Sequence, residues 1–284
     1  MKSNISHGFY KQLSKKKVLI ASHRGTFGGS IIENTIDAFN LAIMAGADIV
    51  ELDIIKSKDN QYFVYHDTEE LRTLGFFNNL HNFTAQEIKE MKYLNRYGLK
   101  TSRRIDTLDE VLKSLKNKCF INLDRCYKGG FPYLKGALDI IKKHEMFDQV
   151  LVKTIVNEEI LQGLASYDIP VMYMPIVSKV HQIELCEKYN LNIVALELLF
   201  QSEDDEIISD ENIKKWKAKN YALWCNAICI DENYLMSAGH NDNIALIKCK
   251  DSGWGWLIDK GFTIIQTDWP YFLNEYLRGK INEN

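Results

Sequence analysis

The stretch "DIVELDIIKSKDNQYFVYHDT", residues 48–68, places Glu51 and Asp53 inside an apolar run that otherwise reads as a buried strand, then returns through a second such run to His66 and Asp67. Two carboxylates in a core strand need something that compensates their charge. Between the runs stands Asp59-Asn60, a pair that tolerates the positive φ of a two-residue hairpin turn. With that turn Lys58 pairs with Gln61, and Asp53 falls directly opposite His66. Side chains alternate along a strand, so Glu51, Asp53 and His66 are expected on one face. A carboxylate pair beside an imidazole has the composition of a metal-assisted acid/base site. A strand with one wet face carries the same residues without any chemistry, so this stretch alone leaves both readings open.

Outward from it, strand-like runs recur at 17–22, 48–54, 119–124, 149–153, 170–175, 193–197, 221–226 and 263–267. Between them lie stretches such as 34–45, 107–116, 158–165, 179–189 and 210–219, with apolar residues three and four apart. Eightfold alternation over 284 residues predicts an α/β fold, a parallel (β/α)8 TIM barrel, rather than an open sheet. Two segments exceed a plain barrel: an insertion at about 61–106 after the second strand, and residues 237–260, "SAGHNDNIALIKCKDSGWGWLIDK". Both are expected at the C-terminal face, where barrels of this kind keep their chemistry. Without a linker or a break in composition, residues 1–284 read as a single domain.

The chain is 46% apolar and 26% charged with a net charge of -3, which is ordinary for a globular protein and offers no basic field to nucleic acid. The N-terminal lysines precede only the short apolar run 18–21, too little for a signal-peptide core, and no run approaches the ~18 apolar residues of a transmembrane segment. Six cysteines (119, 126, 186, 225, 229, 249) form no C-x-x-C pair, and several lie in strand-like runs, so reduced thiols and a cytoplasmic location are expected.

Other strand ends weight the reading toward chemistry. The first strand closes in "ASHRG", putting His23 and Arg24 ahead of Gly25, Gly28 and Gly29; a guanidinium fork beside a glycine-rich loop suits a phosphate or carboxylate. The third closes in "FINLDRC", where Asn122 and Asp124 share a face. Glu51, Asp53 and Asp124 form an all-oxygen set that suits one hard divalent cation, Mg²⁺ or Ca²⁺, better than zinc.

The order "HRG", "ENTIDAFNLAIMAGADIVELDI", "KDNQYFVYHDTEELRTLG" resembles the glycerophosphodiester phosphodiesterases, specifically over residues 19–75, with weaker likeness at "FTAQEIKEM", "RIDTLDEVL", "ALWCNA" and "IIQTDWP". The resemblance implies a (β/α)8 barrel, a divalent cation, and hydrolysis of a glycerophosphodiester to glycerol phosphate and an alcohol. It implies His23 and His66 as the acid/base pair, Arg24 as phosphate ligand, Glu51 and Asp53 as metal ligands, and Glu33 and Asn34 as braces, Asn34 having a helix cap as its plainer role. One departure stands out. The family's third strand usually carries Glu-x-Lys, and the aligned residues here are Asn122 and Asp124, so the third carboxylate has moved two residues along. Lys153, ending the fourth strand, is a candidate for the missing cation, with a snorkelling lysine as the bland alternative.

The expected partner is therefore a small-molecule phosphodiester, not nucleic acid. Trp224, at the end of the seventh strand, is a candidate wall for its alcohol group, and Trp254 and Trp256 would pack over the mouth or meet a headgroup. Two alternatives remain at this point: a lipid-directed phospholipase or lyase of the same superfamily, and a non-catalytic barrel that binds a phospho-ligand.

Overall fold

The structure is a computed structural model that describes residues 5–231 and 233–282. Its strands are β1 (Leu19–Ser22), β2 (Ile49–Lys56), β3 (Tyr62–Val64), β4 (Phe120–Asp124), β5 (Val150–Ile155), β6 (Met172–Val177), β7 (Ala195–Leu198), β8 (Ala222–Asn226) and β9 (Ile264–Thr267). All but β3 are parallel, in the order β1-β9-β8-β7-β6-β5-β4-β2, and β1 pairs again with β2. That last pairing closes the sheet into the expected eight-stranded barrel. The helices are α1 (His7–Lys16), α2 (Ile36–Met44), α3 (Glu70–Leu74), α4 (Ala85–Glu90), α5 (Leu108–Leu115), α6 (Gly130–His144), α7 (Glu158–Ser166), α8 (Val180–Glu187), α9 (Asp210–Ala218), α10 (Trp256–Lys260) and α11 (Pro270–Asn282). None of the described helices is long and apolar enough to cross a membrane.

Strand parity sorts the side chains. Outward residues such as Val50, Leu52, Ile121, Leu123, Val152, Leu196 and Ile265 pack with α5 and α6 residues in one large core. Inward residues Leu19, Ala21, Ile49, Leu151, Met172, Met174, Ala222, Trp224 and Ile264 fill the lower barrel. Phe9 of α1 joins this inner cluster and meets Phe120 edge-on, with ring centroids 5.7 Å apart. The N-terminal segment, expected only to lack a signal core, thus forms a helix that closes the barrel floor. Local signals set the helix starts: Thr35 accepts the Ala38 N–H to cap α2, and Thr107 and Glu110 form a capping box on α5.

The hairpin after β2 differs from the two-residue turn expected. Ser57 N–H donates to Gln61 O at 2.9 Å, so the loop holds Lys58, Asp59 and Asn60, with Asn60 left-handed at φ 69°. One extra residue shifts the register by one. Ile54 pairs with Val64, and Tyr65 N–H donates to Asp53 O at 2.9 Å, so Tyr65 rather than His66 lies opposite Asp53. His66 still lies close enough to Asp53 and Arg24 to feel their charges, because the paired strand ends at Val64 and the chain leaves it before turning at Asp67-Thr68. The insertion has a small core of its own, in which Phe63, Tyr65, Leu80, Ile88, Tyr93 and Ile105 pack on Ile32 and Ile55.

The loop after β1 lies tight on α2. Gly25 sits at φ 79°, and a Cβ there would meet Ala38 C at 2.7 Å and its Cβ at 2.8 Å. Only glycine meets both conditions. Gly25→Ala is expected to lower stability by about 2 kcal/mol or more in a urea titration; an unchanged midpoint would show that this loop is free to move away from α2.

Candidate active site

Glu51 and Asp53 of β2 point into the barrel and are 1% and 2% exposed. The sheet register sets Glu51 beside Asn122 and Asp53 beside Asp124 on β4. Parity then turns all four inward. One oxygen from each of Glu51, Asp53 and Asp124 lies within 4.8 Å of the others, the set expected from the sequence.

The loops after β1 brace two of these carboxylates. Arg24 donates its backbone N–H to Glu51 Oε2 at 3.0 Å, while its guanidinium lies 3.2 Å from Asp53 Oδ2 and donates to Glu33 Oε1 at 2.8 Å. Asn34 holds Asp53 twice, donating Nδ2–H to Oδ2 at 2.9 Å and accepting the Asp53 N–H on its own Oδ1 at 3.1 Å. Asn34 is therefore a brace, and the helix cap falls to Thr35. Burial would raise the Asp53 pKa, but Arg24 and His66 outweigh it and hold the carboxyl below its ordinary value. Glu51 differs. Burial and the adjacent Asp53 push it up to about 7.

Lys153 of β5 is a buried ion-pair partner rather than a snorkelling lysine. Its Nζ lies 2.7 Å from Asp124 Oδ2 and 3.3 Å from Glu197 Oε2, at 3% exposure. Burial alone would lower its pKa, yet Asp124, Glu197 and Glu51 hold it well above the ordinary value. Asn226 donates to Glu197 Oε1 at 2.7 Å, and Trp224 Nε1–H donates to Asn226 Oδ1 at 2.9 Å. Trp224 is fully buried one inward position below Asn226, so it supports the polar layer from beneath and presents no open wall. Glu197, which the sequence reading passed over, ends an unremarkable apolar run and is marked only by its parity.

Two histidines reach the mouth in opposite environments. His23 Nδ1–H donates to Asp268 Oδ1 at 2.8 Å. Burial would lower the His23 pKa, but that hydrogen bond and the charges of Glu51 and Asp268 raise it above its ordinary value. Burial lowers the His66 pKa, and its Nδ1 is buried without a hydrogen-bond partner. The adjacent Asp67 is tied to Arg125 at 2.6 Å and to Lys128. Asp268 stands within "IIQTDWP", but only the closed barrel brings it to His23.

Trp254 and Trp256 take separate roles. Trp254 is fully buried and donates to Asp242 Oδ1 at 2.7 Å, while Trp256 stacks on His240 with centroids 3.8 Å apart. Trp254 cannot meet a headgroup from there.

The residues fit a hard cation. Three clustered carboxylates supply oxygen donors; among the described residues no side-chain cation is bonded to Glu51, and Asn122 Oδ1 is buried without a partner beside them. Against known proteins, residues 23–162 match the model of the glycerophosphoryl diester phosphodiesterase family. The likeness to the glycerophosphodiester phosphodiesterases thus lies in residues 23–162, just under half of the chain. A second model, described as a domain of unknown function, matches residues 173–277. A glycerophosphodiester phosphodiesterase of Caldanaerobacter subterraneus is 33% identical over 144 residues, 49% of this chain and 58% of that one. The chain thus spans little more than half of that relative's length. A glycerophosphoryl diester phosphodiesterase from Parabacteroides distasonis shares the fold with a TM-score of 0.74 at 16% identity, covering 93% of this chain and 87% of that one. An Oleispira antarctica phosphodiesterase, solved with sn-glycerol-3-phosphate, superposes with a TM-score of 0.67 at 18% identity over 93% of this chain and 96% of that one.

On β4, where the resemblance implies Glu-x-Lys, this chain has Asn122 and Asp124, and the ammonium beside Asp124 is that of Lys153 on β5. Removing that ammonium strands the buried Glu197 and the partly buried Asp124. Lys153→Met is expected to cost about 3–5 kcal/mol in chemical denaturation, and an effect under ~1 kcal/mol would mean that water or another cation serves Asp124 and Glu197 equally well.

Proposed function

We propose that this chain is a metal-dependent phosphodiesterase that hydrolyses glycerophosphodiesters to glycerol phosphate and an alcohol. The observation that carries this reading is the convergence of the Glu51–Asp53–Asp124 cluster with two histidines whose pKa values are pushed in opposite directions. The sn-glycerol-3-phosphate held by the Oleispira antarctica protein supports a substrate of this size.

Glu51, Asp53 and Asp124 would hold one divalent cation, Mg²⁺ or Ca²⁺, which supplies charge stabilisation at the phosphoryl oxygens. Arg24 is the proposed phosphate ligand and Lys153 keeps a second positive charge at the cluster, while Trp224 serves the site from beneath, holding Asn226 and lying under the Lys153 ammonium at 5.9 Å. Histidines with opposed pKa shifts divide acid from base. His66, neutral near pH 7, takes the proton of the attacking hydroxyl or water. His23 is the acid: Asp268 holds the Nδ1 proton and favours the imidazolium, and Nε2–H protonates the leaving oxygen. A phosphomonoester dianion would call for more positive charge than this acidic site contains.

One observation favours a second, lipid-directed reading. Trp269, Tyr271 and Phe272, directly after Asp268, are 48%, 55% and 41% exposed, a surface suited to an acyl chain.

The test is release of glycerol 3-phosphate from glycerophosphocholine, glycerophosphoethanolamine or glycerophosphoinositol, followed by a coupled dehydrogenase with and without Mg²⁺ or Ca²⁺. Lysophospholipid and p-nitrophenyl phosphate run beside it. Turnover of small diesters is expected, with His23→Ala and His66→Ala each lowering kcat by roughly 10²-fold while circular dichroism is unchanged. Preference for the lysophospholipid would select the second reading, and turnover of the monoester alone would sink both.

Calorimetry is expected to show cation affinity lowered at least ~10-fold by Asp124→Asn, because a ligand is lost; unchanged affinity would remove Asp124 from the ligand set. Asp268→Asn takes away the hydrogen-bonded carboxylate that, with Glu51, raises the His23 pKa. If His23 is the acid, its protonated form is then lost at lower pH, so the alkaline limb of kcat/KM moves down in pH. Movement of the acidic limb instead would exchange the two histidines' roles.

A further inference from the structure

Asp242 lies in the long β8–β9 connection, 2% exposed, and no step above uses it. Three donors converge on its two oxygens. Trp254 Nε1–H and Thr267 Oγ1–H donate to Oδ1 at 2.7 and 2.8 Å, and Asp268 N–H donates to Oδ2 at 2.9 Å. Its own N–H donates to Ala227 O at 2.7 Å, and Ala227 N–H donates to Gln266 O at 2.8 Å, so the carboxylate is fixed against the ends of β8 and β9. The two β9-end residues it holds are the two that hold His23. Thr267 O accepts the His23 backbone N–H at 3.1 Å, and Asp268 Oδ1 accepts the imidazole Nδ1–H at 2.8 Å.

We infer that Asp242, oriented by Trp254, is a positioning residue for His23, setting the Asp268 carboxylate in line with the imidazole and so fixing which ring nitrogen faces the substrate. This rests on the reading of His23 as an acid/base group. The donor pattern supports it. A buried group that only filled space would need no acceptors, whereas here an indole N–H, a hydroxyl and a backbone N–H all lose their partner if the carboxylate goes. Asn at this position has one acceptor oxygen, and its NH₂ would oppose one of the donors, so one side of the brace opens with little change in volume. Trp254→Phe removes that single donor and keeps an aromatic six-membered ring in the buried position. The residue was hidden in the sequence because "HNDNIA" reads as a polar loop.

The experiment combines ¹⁵N NMR of the histidine ring nitrogens in the full chain with steady-state kinetics on glycerophosphocholine, for wild type, Asp242→Asn, Trp254→Phe and Trp256→Phe. The last alters the same connection at the stack with His240, outside the brace. In Asp242→Asn the His23 titration is expected to fall toward the unperturbed value near ~6.5, and kcat to fall about 10-fold with KM within about twofold, the pattern of a lost transition-state interaction. Trp254→Phe should move both in the same direction by about threefold in kcat, and it carries the test alone if Asp242→Asn does not fold. Trp256→Phe should leave the His23 titration in place. A folded Asp242→Asn or Trp254→Phe in which His23 titrates as in wild type overturns the inference, as does an equal shift in Trp256→Phe. Should wild type turn over no diester, the proposed function fails, while the NMR titration still judges the brace.

Discussion

A closed parallel sheet has an inside that only alternate residues can reach, and everything at this site follows from which residues hold those positions. Below, Leu19, Ala21, Ile49, Leu151 and Met172 make the interior dry. Above, Glu51, Asp53, Asp124 and Glu197 bring four carboxylates into a space where Lys153 and Arg24 are the side-chain cations bonded to them. Charge buried to this degree persists only when partnered. Among the described residues the arrangement leaves Glu51 as the acid with no side-chain cation of its own, which is why burial and Asp53 drive its pKa upward and why the cluster suits a bound cation.

The bracing groups lie close in sequence to what they brace on one side of the mouth and far away on the other. In "HRG" and "ENT", the backbone of Arg24 serves Glu51, its guanidinium spans Asp53 and Glu33, Asn34 clasps Asp53, and Thr35 starts the helix. Gly25 lets that loop press on α2. His23, in contrast, depends on Asp268 at the other end of the chain. The two imidazoles consequently differ in kind. Both are desolvated, but His23 is hydrogen-bonded to a carboxylate and His66 is not, a division that suits proton donation by the first and acceptance by the second.

A carboxylate and an ammonium stand side by side on neighbouring strands, Asp124 on β4 and Lys153 on β5, and Glu197 and Asn226 extend the network across the barrel. Coupling of this kind gives β7 and β8 a stake in the site.

Periodicity and composition determined much of this by themselves. Eight apolar runs separated by amphipathic stretches point to a barrel because such runs are buried on both faces of a parallel sheet, and eight strand-helix repeats in one chain are the number that closes it. Period-two spacing was enough to put Glu51 with Asp53 and Asn122 with Asp124, since parity is a local property of the strand. The opposition of Asp53 and His66 is off by one residue, because Ser57 closes on Gln61, accepting the Gln61 N–H on Oγ at 2.9 Å, and Asn60 takes the left-handed conformation in a loop longer by one. Lys153 could be named from sequence but not placed, for snorkelling and burial differ only in whether Asp124 and Glu197 are there to meet it. Glu197, Asp242 and Asp268 were left to tertiary structure entirely: each is an ordinary acid in its own segment, and only closure of β9 onto β1 and β8 brings Asp268 to His23 and Asp242 to Asp268.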